Sequence, residues 1–271
     1  MAADYVHGYG ANEAQRLQDQ ARTLAELLHS DTAYPEGSTV LEAGCGIGAQ
    51  TVTLASRSPG ARIVSVEISE ASLAGAREAV EAAGLSNVTF AQADIFKLPF
   101  APRSFDHVFL CFVLEHLARP ADALGALRSM LKPGGTVTVI EGDHGSAYFH
   151  PDSEAARKAI QCQVALQAKA GGDALIGRRL YPLLRHAGFG GVQVSPRMVY
   201  ADASRPELVD GFTRKTFTAM IEAVRAPALE AGLITAACFD RGISALYRTA
   251  EDDGVFCYTF FKARAVNPSG V

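Results

Sequence analysis

The run Val40-Leu41-Glu42-Ala43-Gly44-Cys45-Gly46-Ile47-Gly48 is where this sequence first offers chemistry. Gly44, Gly46 and Ala49 match the dinucleotide fingerprint G-x-G-x-x-A. Glycines there let the backbone turn tightly and let a ligand lie on the main chain without meeting a Cβ. The loop alone suits a nicotinamide cofactor as well as any other nucleoside. Three acids narrow the choice. Glu42 precedes the first glycine, where a carboxylate orients the loop or attracts an ammonium group and is a poor neighbour for a pyrophosphate. Glu67 is placed to accept hydrogen bonds from both hydroxyls of a ribose. Asp94 can accept from the exocyclic amine of adenine, with Ile95 packing on the ring. Each acid alone has a plainer reading: a capping or solvated Glu42, a surface Glu67, an Asp94 that caps the following turn. Their occurrence at successive strand ends is what points to a nucleoside site.

A second group, of candidates for acid–base work or substrate contact, runs through Glu141-Gly142-Asp143-His144 and on to Tyr148, Phe149 and His150, with Tyr148 and Phe149 on the substrate side. Glu141 and His144 rank first as acid–base candidates, and a solvated polar loop is the alternative for Asp143 and His150. Arg178 and Tyr181 would meet an anionic substrate or else open an exposed helix. Phe212, Phe217, Met220 and Ile221 suit an apolar pocket wall or helix packing equally. Neither G-x-S-x-G nor H-E-x-x-H occurs, and no cysteine or histidine spacing suggests a metal site.

The elements that must hold these residues alternate. Residues 12–29 read as an amphipathic helix, and Pro35 to Gly37 break the chain. Strands are expected at 39–43, 62–67, 87–91, 105–112 and 136–141, with helices at 49–57, 70–83 and 120–132. That order implies right-handed βαβ units and a parallel sheet. Further on, helices are expected at 152–170, 177–187, 206–231 and 236–248, and strands at 192–200 and 255–263. The fold class is therefore α/β: a Rossmann-like, seven-stranded, mostly parallel sheet with an antiparallel last strand and a helical cap over the substrate side. The expected division is an N-terminal lid segment (1–35), a cofactor-binding core (36–145), and the rest of the sheet (146–271). The cap insertions fall at about 150–176 and 204–250.

Bulk properties exclude several classes. A net charge of −4 and the lack of a long Lys/Arg run argue against general attraction to nucleic acid or anionic membrane. The start lacks a secretory pattern, and the apolar run Val108–Leu114 is too short to cross a bilayer. Five widely spaced cysteines without a CxxC pair argue against a disulfide framework, so the cytoplasm is the expected location. The cap helices also offer a face for a homodimer.

Taken together, LEAGCGIG (41–48), VEIS (66–69), QADIFKLPF (92–100), FDHVFLCFVLEHLARP (105–120) and LKPGG (131–135) resemble the class I S-adenosylmethionine-dependent methyltransferases, in the branch around the ubiquinone/menaquinone-biosynthesis enzymes. The resemblance is close over 38–142 and loose elsewhere. It implies that Gly44 and Gly46 contact the methionine part of S-adenosylmethionine, with Cys45 and Gln50 beside them. Glu67 would hold the ribose, Ile68 would lie by the adenine, and Asp94 and Ile95 would frame it. Cys111, Phe112 and Val113 would line the sulfonium, and His116 falls near the cofactor as a further catalytic candidate, with pocket wall as its plainer role. In similar enzymes the segment before the first strand folds over the cofactor, which makes Tyr9, and Tyr5 on the substrate side, closing residues. Methyl transfer from a sulfonium is an in-line displacement needing positioning more than acid–base groups, so the absence of a triad is expected. Two other readings stay open: a nicotinamide-dependent oxidoreductase, and a protein that binds the sulfonium cofactor without transferring methyl. Small-molecule methylation in specialised metabolism is the expectation.

Overall fold

A computed structural model describes residues 11–268. Tyr5 and Tyr9, the two expected closing residues, lie outside the described residues. Strands β1 (Thr39–Ala43), β2 (Arg62–Glu67), β3 (Val88–Gln92), β4 (Phe105–Cys111), β5 (Leu131–His150), β6 (Gly190–Ala201) and β7 (Val255–Val266) form one sheet in the order β3-β2-β1-β4-β5-β7-β6. β1 to β5 pair in parallel, and β7 runs antiparallel to both β5 and β6. The expected α/β sheet with its reversed last strand is therefore what the chain forms.

The helices are α1 (Ala11–His29), α2 (Ala49–Arg57), α3 (Glu70–Ala82), α4 (Pro120–Met130), α5 (Glu154–Lys169) and α6 (Leu180–His186). Between β6 and β7 come α7 (Pro206–Leu208), a π-helix (Val209–Thr218), α8 (Ala219–Ala223), α9 (Arg225–Glu230) and α10 (Ala236–Arg248). Local chemistry sets several starts. Ser69, Ser153 and Thr235 accept from the backbone N–H of Ser72, Ala156 and Cys238. Pro120 opens α4, where its missing N–H has no partner to lose.

Alternation along the central strands gives the sheet two apolar faces. Leu41, Val108, Leu110, Val137 and Val139 face a core shared with α4 and α6, through Leu124, Leu127, Leu180 and Leu184. Val40, Phe109 and Ile140 face the other core, shared with α1, α2, α5 and the helices between β6 and β7. Phe212, Phe217, Phe239, Phe256 and Leu246 belong to that second core, so the inserted helices and the sheet bury one another.

The C-terminal end of α1 is tied to the sheet by a buried amine. Lys262 Nζ donates to the Leu28 carbonyl at 3.0 Å, Asp31 at 2.5 Å and Thr32 Oγ1 at 2.5 Å. Arg197 of β6 also donates to Asp31, at 2.5 Å. Burial pulls the Asp31 carboxyl upward, yet these two cations outweigh it and hold it at about 2. Beside Leu28, His29 Nε2 meets Gln50 Oε1 at 2.8 Å, which binds α1 to α2. Burial drives His29 down to about 4, so its ring is neutral near pH 7.

The structure corrects the expectation for the second polar group. The strand expected to stop at Glu141 continues to His150, pairing with β7 across a register shift between Asp143 and Tyr148. Glu141, Asp143 and His144 are buried rather than on a solvated loop, because β7 and the π-helix cover this stretch. The helix expected at 206–231 is divided, with wide π-type turns in its first part.

Candidate functional site

A cavity of about 710 Å³ opens at the C-terminal ends of β1, β2 and β4, where parallel α/β sheets bind ligands. Glu42, Gly44, Cys45, Gly46, Gln50, Glu67, Ile68, Asp94, Ile95, Cys111, Phe112, Val113 and His116 all line it. The topology brings together every described residue named above as a cofactor contact. α1 adds Arg16, Leu17 and Gln20, and the π-helix and α8 add Phe212, Thr216, Phe217 and Met220. A run of π-type turns is uncommon in proteins and often marks a functional site.

The glycine loop is held by Glu67. Its Oε2 accepts from the Gly46 N–H at 3.1 Å, and its Oε1 from Ile68 and Ser69 at 2.9 and 3.1 Å. Gly44 has φ +75°, and a Cβ there would lie 2.7 Å from Val113 Cγ2. The loop therefore needs glycine both for its left-handed backbone and for the close approach of β4's end. Asp94 Oδ1 accepts from the Phe96 N–H at 2.9 Å, which forms the turn predicted by its capping reading.

Glu42 is buried in the floor of the cavity. Thr51 and Ser65 both donate to its Oε2, at 2.8 and 2.6 Å, so Oε1 is the oxygen left for a ligand. Burial pushes this carboxyl up to about 7, against the pull of the two hydroxyls. A cation beside it would restore the carboxylate. The thiols of Cys45 and Cys111 are likewise raised by burial and stay neutral, so neither is an activated nucleophile.

A second polar cluster lies in the cavity wall. Tyr258 Oη and His144 Nδ1 are 3.0 Å apart, and both side chains are buried in the cavity wall. Gln167 Nε2 donates to the carbonyl and the carboxylate of Glu115, at 3.0 and 3.2 Å. His116 Nε2 lies 3.6 Å from Glu115 Oε1. Phe212, Phe217 and Phe260 pack around Tyr258 with ring centroids 4.8–5.6 Å away.

Several expected site residues lie elsewhere. Glu141 does not line the cavity; its Oε1 accepts from the backbone N–H of Val113 and Leu114, at 3.0 and 2.7 Å. It thereby caps the 3₁₀ turn Leu114–His116 and fixes the end of β4. Burial, with Glu115 adding to it, raises its carboxyl well above the usual range. Arg178 makes a two-pronged pair with Asp143, at 2.7 and 2.8 Å, instead of facing a substrate. Tyr148 and Tyr181 are exposed on the outside, and Phe149 stacks on Phe256 away from the cavity. Ile221 is core and does not reach the cavity, whereas its neighbour Met220 is core and also lines the cavity. Sequence reasoning missed Gln20, Glu115, Thr216, Tyr258 and Phe260. Alternation in β7 was the available signal for the last two, since Phe256, Tyr258 and Phe260 share one face.

Residues 35–188 match a family model described as a methyltransferase domain. A demethylmenaquinone methyltransferase of Thermus thermophilus is 38% identical over 102 residues, covering 38% of this chain and 46% of that protein. The chain spans between 34% and 57% of the first curated relatives it matches. Among solved structures, a phosphoethanolamine N-methyltransferase of Haemonchus contortus, in complex with S-adenosylhomocysteine, aligns with TM-score 0.56 and 21% identity, over 91% of this chain and 53% of that one. The [4+2]-cyclase SpnF aligns with TM-score 0.57 and 20% identity, over 93% and 82%. At these identities the two structures speak to the fold.

Proposed function

This chain belongs to the methyltransferase-domain family, and from that premise we propose that it transfers a methyl group from S-adenosylmethionine to a small molecule. The observation that carries this reading is Glu42: a buried carboxyl at the cavity floor with one oxygen satisfied by two hydroxyls and the other left for a cation. A pyrophosphate at that point would meet a like charge, which disfavours a nicotinamide dinucleotide.

The residues present fit the cofactor. Gly44 and Gly46 leave the main chain bare for the aminoacyl portion, and Glu42 Oε1 answers its ammonium. The Glu67 carboxylate still has lone pairs for the ribose hydroxyls after its three backbone bonds. Asp94 and Ile95 flank the adenine position, and Cys111, Phe112 and Val113 stand where β4 ends in the cavity wall. When bound, S-adenosylmethionine supplies a methyl group already activated by the adjacent positive sulfur. The chain's task is then positioning and exclusion of water. Phe212, Phe217, Met220 and Phe260 dry the acceptor end, and α1 with Arg16, Leu17 and Gln20 forms the remaining wall. We read residues 11–35 as the lid segment, 36–145 as the cofactor half, and the helices between β6 and β7 as the cap over the acceptor. A recessed cavity of about 710 Å³ suits a small molecule rather than a protein or nucleic acid.

Among the described residues no helix is long and apolar enough to cross a membrane. The five free thiols suit a reducing compartment, and we assign the protein to the cytoplasm on that basis.

Calorimetric titration with S-adenosylhomocysteine and with NADH tests the cofactor. Binding of the first, weakened by Glu67→Ala and Asp94→Ala, is the expected result. Binding of NADH alone would overturn the reading. A screen of small acceptors by mass, seeking the gain of one methyl group, tests transfer.

A further inference from the structure

We propose that the acceptor is an acidic hydroxyl, a phenol or an enol on an apolar body, and that His144 takes its proton while Tyr258 positions the imidazole. The inference rests on the methyl-transfer reading and narrows its substrate class.

Three observations carry it. First, the His144 ring has one nitrogen engaged, by Tyr258 Oη at 3.0 Å. Its buried Nε2 has no partner among the described residues, although the residue lines the cavity. Leaving such a group unmade is costly, and a ligand hydroxyl would satisfy it. Second, the pair is built into the fold. A Cβ on Gly142 would overlap Tyr258 Oη, so glycine at that position gives the phenol its place. The His144 backbone N–H donates to Ala174 at 3.0 Å, and the rings of Phe217 and Tyr258 flank the imidazole at 6.1 and 5.8 Å. Third, the surrounding wall is aromatic and apolar: Phe112, Phe212, Phe217, Met220 and Phe260. Such a wall suits the ring of a phenol. An uncharged amine carries a free lone pair and needs no base before attack, and an alkylammonium would bring its charge into this apolar wall; a hydroxyl gains most of its nucleophilicity by losing its proton.

The charges around the ring suit a base that starts neutral. Burial holds the His144 imidazole below its ordinary value; Glu115 and Asp143 push it upward, and Arg16 and His116 push it down. Asp143 is itself committed to Arg178. In the tautomer the reaction needs, Nδ1–H donates to Tyr258 Oη and Nε2 is bare. The substrate O–H proton passes to Nε2. The oxygen bonds to the methyl carbon as that carbon's bond to sulfur breaks, with the electron pair remaining on sulfur. The proton leaves His144 to water once product departs. Activity should therefore fall as pH drops through the His144 transition.

The test uses the full chain loaded with S-adenosylhomocysteine and a series of nitrophenols and nitronaphthols of increasing size, whose visible phenolate absorbance reports ionisation without turnover. Bound nitrophenol should ionise roughly one pH unit lower in the wild type than in His144→Gln, a tenfold difference in the proton equilibrium. Tyr258→Phe should fall between them. With S-adenosylmethionine, His144→Gln should lose roughly 10²- to 10⁴-fold in kcat on phenols and enols while keeping cofactor affinity. Equal ionisation in the wild type and His144→Gln, methyl transfer to amines in preference to hydroxyls, or no phenol bound by the loaded protein would each overturn the proposal. Failure to bind S-adenosylhomocysteine at all, read separately by calorimetry, would remove the cofactor assignment and this proposal with it.

Discussion

Glu42→Gln turns the buried carboxyl of the cavity floor into a measurable quantity. The folded chain holds this group at about 7, against an ordinary value of 4.5. At 1.36 kcal/mol per unit, that difference is about 3 kcal/mol of folding stability that depends on pH. The folded state binds the proton more tightly than the unfolded state. The contribution is therefore whole below about pH 4.5 and is lost as pH rises through about 7. Gln is close to an isosteric, permanently neutral stand-in, and its carbonyl can still accept from Thr51 and Ser65. Relative to its value at pH 4.5, the stability difference between variant and wild type should grow by about 3 kcal/mol by pH 8. At about 2 °C per kcal/mol for a chain of this size, that is a gap of ~6 °C in melting temperature. The same substitution should weaken binding of S-adenosylmethionine roughly tenfold or more, since a charge-assisted hydrogen bond is worth about 1.5–3 kcal/mol. Wild-type affinity should tighten with pH up to about 7, whereas the variant's should stay flat. Paired melting curves and calorimetry from pH 4.5 to 8 measure both effects. Parallel stability–pH curves for the two proteins would refute the assignment of a raised carboxyl here.

Two further substitutions separate binding from folding. Gly44→Ala places a methyl group against Val113 on a backbone with φ +75°. It should reduce S-adenosylhomocysteine affinity at least roughly tenfold, because a Cβ both strains this conformation and crowds the ligand's path; unchanged affinity by calorimetry would contradict the loop's role. Arg178→Met removes the pair that satisfies Asp143, whose side chain is 3% exposed while Arg178 is 49% exposed. Solvent reaching the arginine moderates the loss to about 2 kcal/mol, readable by chemical denaturation, with cofactor affinity unaffected. A loss of affinity equal to the loss of stability would return Arg178 to the list of ligand contacts.

The part of the molecule around the glycine loop was legible because its signals are local. The boundaries of β1, β2 and α2 follow from Pro35, the glycine loop and the apolar runs between them, and each acid sits within a few residues of its strand end. The part around residues 142–146 was less so. Gly142-Asp143-His144-Gly145-Ser146 has the composition of a turn, yet Gly142, Asp143 and His144 are buried, with Tyr258 and Phe217, far along the chain, packed on the imidazole. Burial supplied from such a distance overrides local propensity. Glu141 looked catalytic as an acid at a strand tip, but two backbone N–H groups, at Val113 and Leu114, claim it. Tyr258 reads as one more aromatic in a core strand. Only the space left by Gly142 and the partner at His144 distinguish it.

Phe212 and Phe217 belong at once to the cavity wall and to the apolar mass that keeps the sheet folded. Selectivity and robustness are thus fused in the same side chains. A descendant of this protein that reshapes the cavity by trimming either ring must forfeit roughly 3–5 kcal/mol of folding free energy, a large share of what a typical domain possesses. A change of cavity shape would therefore arise more readily through Thr216, which touches the cavity without belonging to that apolar mass.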